Sequence, residues 1–226
     1  MKISCVKHGS YLFFNAIKLG FQMMRGACML AKVRMPIITI FGGQQAKENS
    51  VYYKQAYELS KRLAEHSIST VTGGGPGIMF AASCGSKDGK QNDDKLNTLG
   101  IAVHGVDDDF ENKCSPVFWV NYFFIRKWLM VRYSLGIVVF PGGVGTVDEL
   151  FDVLNYMKHK RVPPIPLVLV GIDYWQPLID WMEHKAIAQG YMKKYYLDFF
   201  ILVDTADEAF AIVHRVCDQY KDHIAK

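Results

Sequence analysis

Residues 135–151 read LGIVVFPGGVGTVDELF, and the reading of this stretch decides the fold. Residues 135–140 form a short, continuous apolar run rich in β-branched side chains, the pattern of a strand buried on both faces. The run stops at Pro141. Gly142, Gly143 and Gly145 then allow a tight turn in which the backbone can approach a ligand closely. From Thr146 the spacing changes to that of a helix, which continues to about residue 160. A strand, a glycine turn and a helix in direct succession make half of a βαβ unit.

The same alternation extends in both directions. Residues 36–41 (PIITIF), 67–72 (SISTVT), 98–104 (TLGIAVH), 166–171 (PLVLVG) and 199–203 (FFILV) read as further strands. Helical patterns lie between them at 50–66, after the second glycine turn GGGPGIM (73–79), over the aromatic segment 117–134, near 174–189 and at the carboxyl end. Residues 88–97 are polar and read as an exposed loop. Apolar strands separated by helices imply an α/β fold, a Rossmann-like doubly wound parallel sheet with helices on both faces. No internal repeat or long linker divides the chain. The expected organisation is an N-terminal amphipathic helical extension over 1–35 and a Rossmann-like domain over 36–226.

Composition narrows the function classes. Of 226 residues, 50% are hydrophobic and 21% charged, enough for a large core. The net charge of +4 is mild and no run of Lys and Arg forms a stripe, which argues against nucleic acid as a partner. Cys5, Cys28, Cys84, Cys114 and Cys217 are scattered, odd in number and without a CxxC pair. That spacing argues against a disulfide framework and a structural zinc site, and for a reducing cytoplasm. The histidines also lack metal-ligand spacing, so no metal and no cofactor are expected. Residues 11–31 are strongly apolar, but Asn15, Lys18, Gln22, Arg25 and Lys32 recur as one polar stripe. Two cations inside that stretch would each cost about 2.5 to 3.5 kcal/mol at a bilayer centre, which argues against a membrane span. An uninterrupted apolar core and a cleavage site, the marks of a signal peptide, are not evident. The segment reads as an amphipathic helix with a wide apolar face, around Phe14, Leu19, Met23 and Leu30, that covers the domain or a subunit partner in preference to a membrane surface.

Ligands of open α/β sheets bind beyond the carboxyl ends of the strands, at the switch point in strand order. Two glycine-rich turns fall at such ends, GGGPG with Gly74 and Gly75, and PGGVGT with Gly142, Gly143, Gly145 and Thr146. A helix starting directly after such a turn offers free N–H groups and a positive dipole end to a phosphate. Neither turn is a GxxxxGK[ST] or GxGxxG fingerprint. Thr146 and Glu149 have two readings. T-x-x-E is a capping box, and Thr205 to Glu208 repeats it without glycines, as a built-in control; equally, Glu149 could serve chemistry. Arg126, on an apolar helix, is either a paired structural arginine or a ligand for an anion. Lys127 faces another way and could reach water. Asp107, Asp108 and Asp109 are candidates for a proton donor only because they follow a strand end, and read as a solvated loop.

FFIRKWLM (123–130) followed by VVFPGGVGTVDELF (138–151) closely resembles the LONELY GUY (LOG) family, and GGGPGIM matches that family's upstream glycine turn. The similarity spans residues 37–211, and its IRK and TVDELF elements resemble the bacterial nucleotide-nucleosidase branch. Phe124 stands where plant-type members more often carry histidine. Members often bear the older label of possible lysine decarboxylase. The resemblance implies a Rossmann-like, usually dimeric phosphoribohydrolase of AMP-nucleosidase type, which splits a nucleoside 5′-monophosphate into free base and ribose 5-phosphate. It implies that Arg126 and Glu149 are catalytic, and that Gly142, Gly143, Gly145 and Thr146 bind the phosphate with Gly74, Gly75 and Lys127 beside them. The alternative is a nucleotide or phosphorylated-cofactor carrier of the same fold without catalysis, in which Arg126 and Glu149 need not meet. Decarboxylation through pyridoxal phosphate would need a Schiff-base lysine and an acidic partner for the ring nitrogen, and nothing in the chain singles out such a lysine.

Overall fold

A computed structural model describes the chain over residues 2–90 and 94–224, with side chains over 13–90 and 94–223. Among the described residues, seven parallel strands form one sheet: β1 (Ile37–Phe41), β2 (Ser69–Thr72), β3 (Thr98–Val103), β4 (Val117–Val120), β5 (Gly136–Val139), β6 (Leu167–Val170) and β7 (Phe200–Val203). Their spatial order is β4-β3-β2-β1-β5-β6-β7. The strand order therefore reverses between β1 and β5, whose register pairs Thr39 with Ile137 and Phe41 with Val139.

The helices are α1 (Lys2–Leu30), α2 (Val51–Glu65), α3 (Ile78–Asp88), α4 (Phe123–Arg132), α5 (Val144–Lys158), α6 (Ile172–Trp181) and α7 (Ala206–Ile224). Two cores result, one on each face of the sheet. One joins strand residues such as Ile37, Val71 and Leu169 to α1, α4, α5 and α6. The other joins Ile38, Val138 and Val168 to α2, α3 and α7. Alternate residues of a strand thus feed opposite cores, and β1, β2, β3, β5 and β6 are buried on both faces, as their apolar runs imply. The doubly wound α/β architecture expected from the sequence is the one observed.

Two expectations need correction. Residues 117–134 are not one helix. Val117, Phe118, Trp119 and Val120 pair with β3 as an edge strand, and only Phe118 and Val120 are fully buried. β-branched and aromatic residues at alternating burial outweigh the helical spacing there. Second, Cys84 of α3 and Cys114 form a disulfide across 30 residues of sequence. Such a pairing is made by the fold and has no spacing signature. The helix α1 covers the domain with one side of its apolar face. Leu30 is buried, Leu19 and Met23 pack against the core, and Gly26 lets α1 lie close to α4, because a β-carbon there would overlap Leu129. Phe14 is exposed. Among the described residues, no helix is long and apolar enough to cross a membrane.

Candidate active site

Where the strand order reverses, the loops leaving β1 and β5 diverge to opposite faces and open a crevice. Gly42 to Ser50 of the β1–α2 connection form one wall and Pro141 to Thr146 the other, enclosing a cleft of about 950 Å³. Met79, Asp107, Phe123, Arg126, Glu149 and Tyr174 complete it. The loops are held together at their base: the Gly43 amide donates to the Pro141 carbonyl at 2.9 Å, and the Tyr174 hydroxyl donates to the Gly142 carbonyl at 2.6 Å.

The helix after β5 begins earlier than its capping residues suggest. α5 starts at Val144, its N-cap is Gly143, and no side chain caps it. Thr146 is therefore a buried residue of the first turn, and Glu149 lies in the second. The capping reading of this T-x-x-E fails, and its internal control shows why. At α7 the Thr205 hydroxyl accepts from the Glu208 amide at 3.2 Å, while the Glu208 carboxylate accepts from the Thr205 amide at 3.0 Å. At α5 the amides of the first turn keep their donors free of any capping side chain, facing the cleft.

The glycines of this turn divide into two kinds. A β-carbon on Gly142 would overlap the Thr146 hydroxyl and come within 2.7 Å of the Gly43 nitrogen, so packing alone requires glycine there. Around Gly143 and Gly145 a β-carbon would meet nothing within 4 Å. Packing does not explain those two; they keep the ground above the helix N-terminus open.

Arg126 of α4 reaches under this turn. Its Nη2 lies 3.5 Å from the Glu149 Oε1 and its Nη1 3.4 Å from the Asp107 Oδ2. These contacts are long for an arginine–carboxylate pair, and the buried Arg126 Nε has no partner. Nη2 also donates to the Met79 Sδ at 3.8 Å, so the guanidinium, which lines the cleft, has only weak partners and donor capacity to spare. Asp107, read from sequence as solvated, is buried; its Oδ2 also accepts from the Val103 amide at 3.0 Å. Burial pushes the Glu149 carboxyl up from 4.5 to about 7, against the pull of Arg126 and Lys127. Arg126 therefore does not by itself keep Glu149 ionised at neutral pH, because desolvation outweighs it.

Gly73, Gly74 and Gly75 stand behind the arginine rather than on the cleft wall. A β-carbon on Gly73 would overlap the Arg126 guanidinium, and Gly74 packs against Gly100. The upstream turn shapes the seat of Arg126. Lys127 borders the cleft, but its ammonium lies 2.6 Å from Asp148 and 2.7 Å from Asp152. Burial works against this charge, yet the two carboxylates hold its pKa above the ordinary value. It ties α4 to α5. Sequence reasoning missed the β1–α2 wall and Tyr174. Gly42 and Gly43 close a buried strand just as the other glycine turns do, and could have been read the same way. Among the described residues, no cluster of three or more His, Cys, Asp or Glu is arranged to hold a metal ion.

Residues 79–213 match the family model described as possible lysine decarboxylase. The chain belongs to that family. Among its relatives is a probable cytokinin riboside 5′-monophosphate phosphoribohydrolase of Oryza sativa subsp. japonica, 24% identical over 203 residues, covering 88% of this chain and 80% of the relative. A cytokinin riboside 5′-monophosphate phosphoribohydrolase of Arabidopsis thaliana is 23% identical, covering 86% and 90%. The pyrimidine/purine nucleotide 5′-monophosphate nucleosidase of Escherichia coli K12 is 28% identical over 179 residues, 74% of this chain but 38% of that longer protein. The fold is shared with a molybdenum cofactor binding protein of Rippkaea orientalis, with a TM-score of 0.60 at 21% identity over 81% of this chain and 98% of the other.

Proposed function

We propose that the chain hydrolyses the N-glycosidic bond of a nucleoside 5′-monophosphate, releasing the free base and ribose 5-phosphate. The observation that carries this reading is the meeting of Arg126 and Glu149, 3.5 Å apart, beside an uncapped helix N-terminus in one cleft. A carrier without catalysis gives no reason for that contact. The two relatives matched over 86% or more of the chain are named as cytokinin riboside 5′-monophosphate phosphoribohydrolases, one of them as probable.

The phosphate binds at the amides of Gly143, Val144 and Gly145 with the Thr146 hydroxyl, where the α5 dipole and free donors favour an anion. Glu149 follows Gly145 by four residues, about 6 Å along the helix axis, which places its carboxyl near the C1′ end of a ribose anchored there. Departure of the base leaves an oxocarbenium-like sugar, and an ionised carboxylate stabilises that charge or takes the proton of the attacking water. The spare donors of Arg126 hold the ribose hydroxyls and Glu149 in line, with Asp107 fixing Arg126 from behind. Lys127 is a clamp in this scheme. Its raised pKa and two carboxylate partners are the reverse of what a Schiff-base lysine needs, so decarboxylation is not supported.

The working unit is a homodimer. Tyr122, Phe123 and Phe124 are exposed at the start of α4, beside the cleft mouth, an aromatic patch suited to a second copy. Nucleic acid is not a partner, and the cytoplasm is the proposed compartment on the substrate alone, since the Cys84–Cys114 disulfide withdraws the cysteine argument for it. The test is incubation with a panel of nucleoside 5′-monophosphates and assay for free base and ribose 5-phosphate. Release of neither from any member, with binding retained, would establish the carrier instead.

A further inference from the structure

α1 presents a second apolar stripe that the domain does not use. Phe13, Ile17, Phe21 and Met24 follow at spacings of four, four and three and are each more than half exposed, as is Phe14 beside them. Helical periodicity puts these residues on one line, opposite the side on which Leu19, Met23 and Leu30 meet the core. Along one edge of the stripe run exposed cations seven residues apart, Lys18 and Arg25, continued by Lys32 in the turn after the helix. The Arg25 guanidinium lies 5.7 Å from the centre of the Phe21 ring. Residues 1–34 contain Lys2, Lys7, Lys18, Arg25, Lys32 and Arg34 and no acidic residue. Because the whole chain carries only +4, the rest of it is net acidic.

We infer that this face of α1 seats the protein on an anionic lipid surface, with the helix lying in the plane of the headgroups. Exposed phenylalanines flanked by Lys and Arg, on a helix unable to span a bilayer, are what such a surface takes up. Charge complementarity decides between lipid and a second copy. A two-fold contact through this stripe would bring Lys18 and Arg25 of both copies together, and the segment contains no carboxylate to neutralise them. Anionic headgroups neutralise them directly. This inference does not depend on the catalytic reading.

The experiment is co-sedimentation of the full-length protein with phosphatidylcholine vesicles, with or without about 30% phosphatidylglycerol. Binding at least ten-fold tighter to the anionic vesicles is expected, and loss of most of it in about 0.5 M salt, where the Debye length falls to a few ångströms. Two variants follow, Phe13→Ser/Ile17→Ser/Phe21→Ser and Lys18→Glu/Arg25→Glu. Both change exposed side chains, so both should fold, keep the parent's oligomeric state by light scattering and lose vesicle binding at least ten-fold. Absence of vesicle binding by the parent would overturn the inference, as would equal binding to neutral vesicles. So would dissociation of an oligomer by the serine variant, which would make a second copy the occupant.

Discussion

Replacing Glu149 with glutamine separates the electrostatics of the site from its shape. The Glu149 carboxyl is displaced from 4.5 to about 7 by burial, so the folded protein holds this proton more tightly than the unfolded chain does. Stability then falls as pH rises between those two values, and the cost is complete above about pH 7. At about 1.4 kcal/mol per tenfold change, the displacement corresponds to about 3 kcal/mol of native-state cost at alkaline pH. The side chain is 13% exposed, so solvent screening removes little of this. Glutamine resembles the protonated acid and never bears the cost. Glu149→Gln should therefore match the parent's thermal stability near pH 4 and exceed it near pH 8 by on the order of 6 to 12 °C, given roughly 2–4 °C per kcal/mol for a chain of this size. It should also lose base release by about 100-fold or more, the usual effect of removing one preorganised electrostatic group. Calorimetry at the two pH values and a free-base assay measure both. A variant no more stable than the parent at pH 8 refutes the desolvated carboxylate; normal turnover refutes its role in the chemistry. Glu208→Gln, in the true capping box of α7, is the control and should leave turnover unchanged.

The same carboxyl must be ionised to face an oxocarbenium ion, so kcat/KM should rise with pH through about 7 and level off, and that limb should vanish from the residual rate of Glu149→Gln. Gly73→Ala, outside the cleft wall, should cost at least ten-fold in kcat by pushing the Arg126 guanidinium from its seat; unchanged kcat would show that Arg126 has room to spare. Gly142→Ala should destabilise the protein by about 1–3 kcal/mol through overpacking against Thr146 and Gly43, read by denaturant melts. Gly143→Ala should leave stability equal or slightly higher, yet raise KM for nucleoside monophosphates through a methyl placed over the α5 amides; an unaltered KM would remove the phosphate from that turn.

The fold was legible because this sheet is buried on both faces. Runs such as IITIF of β1 and LVLV of β6 need no alternation, and little else in a chain of this size accounts for several of them separated by helices. β4 failed that test for a physical reason. As an edge strand of four residues it alternates in burial, and it runs within two residues into a helix equally rich in aromatics, so local composition carries no boundary. The Cys84–Cys114 disulfide was illegible for another reason: it depends on where α3 and the segment before β4 meet, a product of strand order that spacing does not encode.

The site shows the same division between local and topological information. Gly142, Gly143, Gly145 and Thr146 are contiguous, and their role as a turn before a helix could be read directly. Glu149 could not be separated from a helix cap, because T-x-x-E is ambiguous by up to three residues in where the helix starts; the start at Val144 resolves it. Asp107 reads as solvated because it is one of three consecutive aspartates after a strand end, and only tertiary contact buries it beside Arg126. The GGGPG turn drew attention by its glycines, yet the strand order places β2 one strand away from the reversal, while β1 lies at it. A glycine turn at a strand end marks a ligand site when its strand borders the switch point; elsewhere it makes room for a side chain, as Gly73 does for Arg126. Reading strand order before reading glycines would have assigned the Gly42–Gly43 turn to the cleft and the upstream turn to its support.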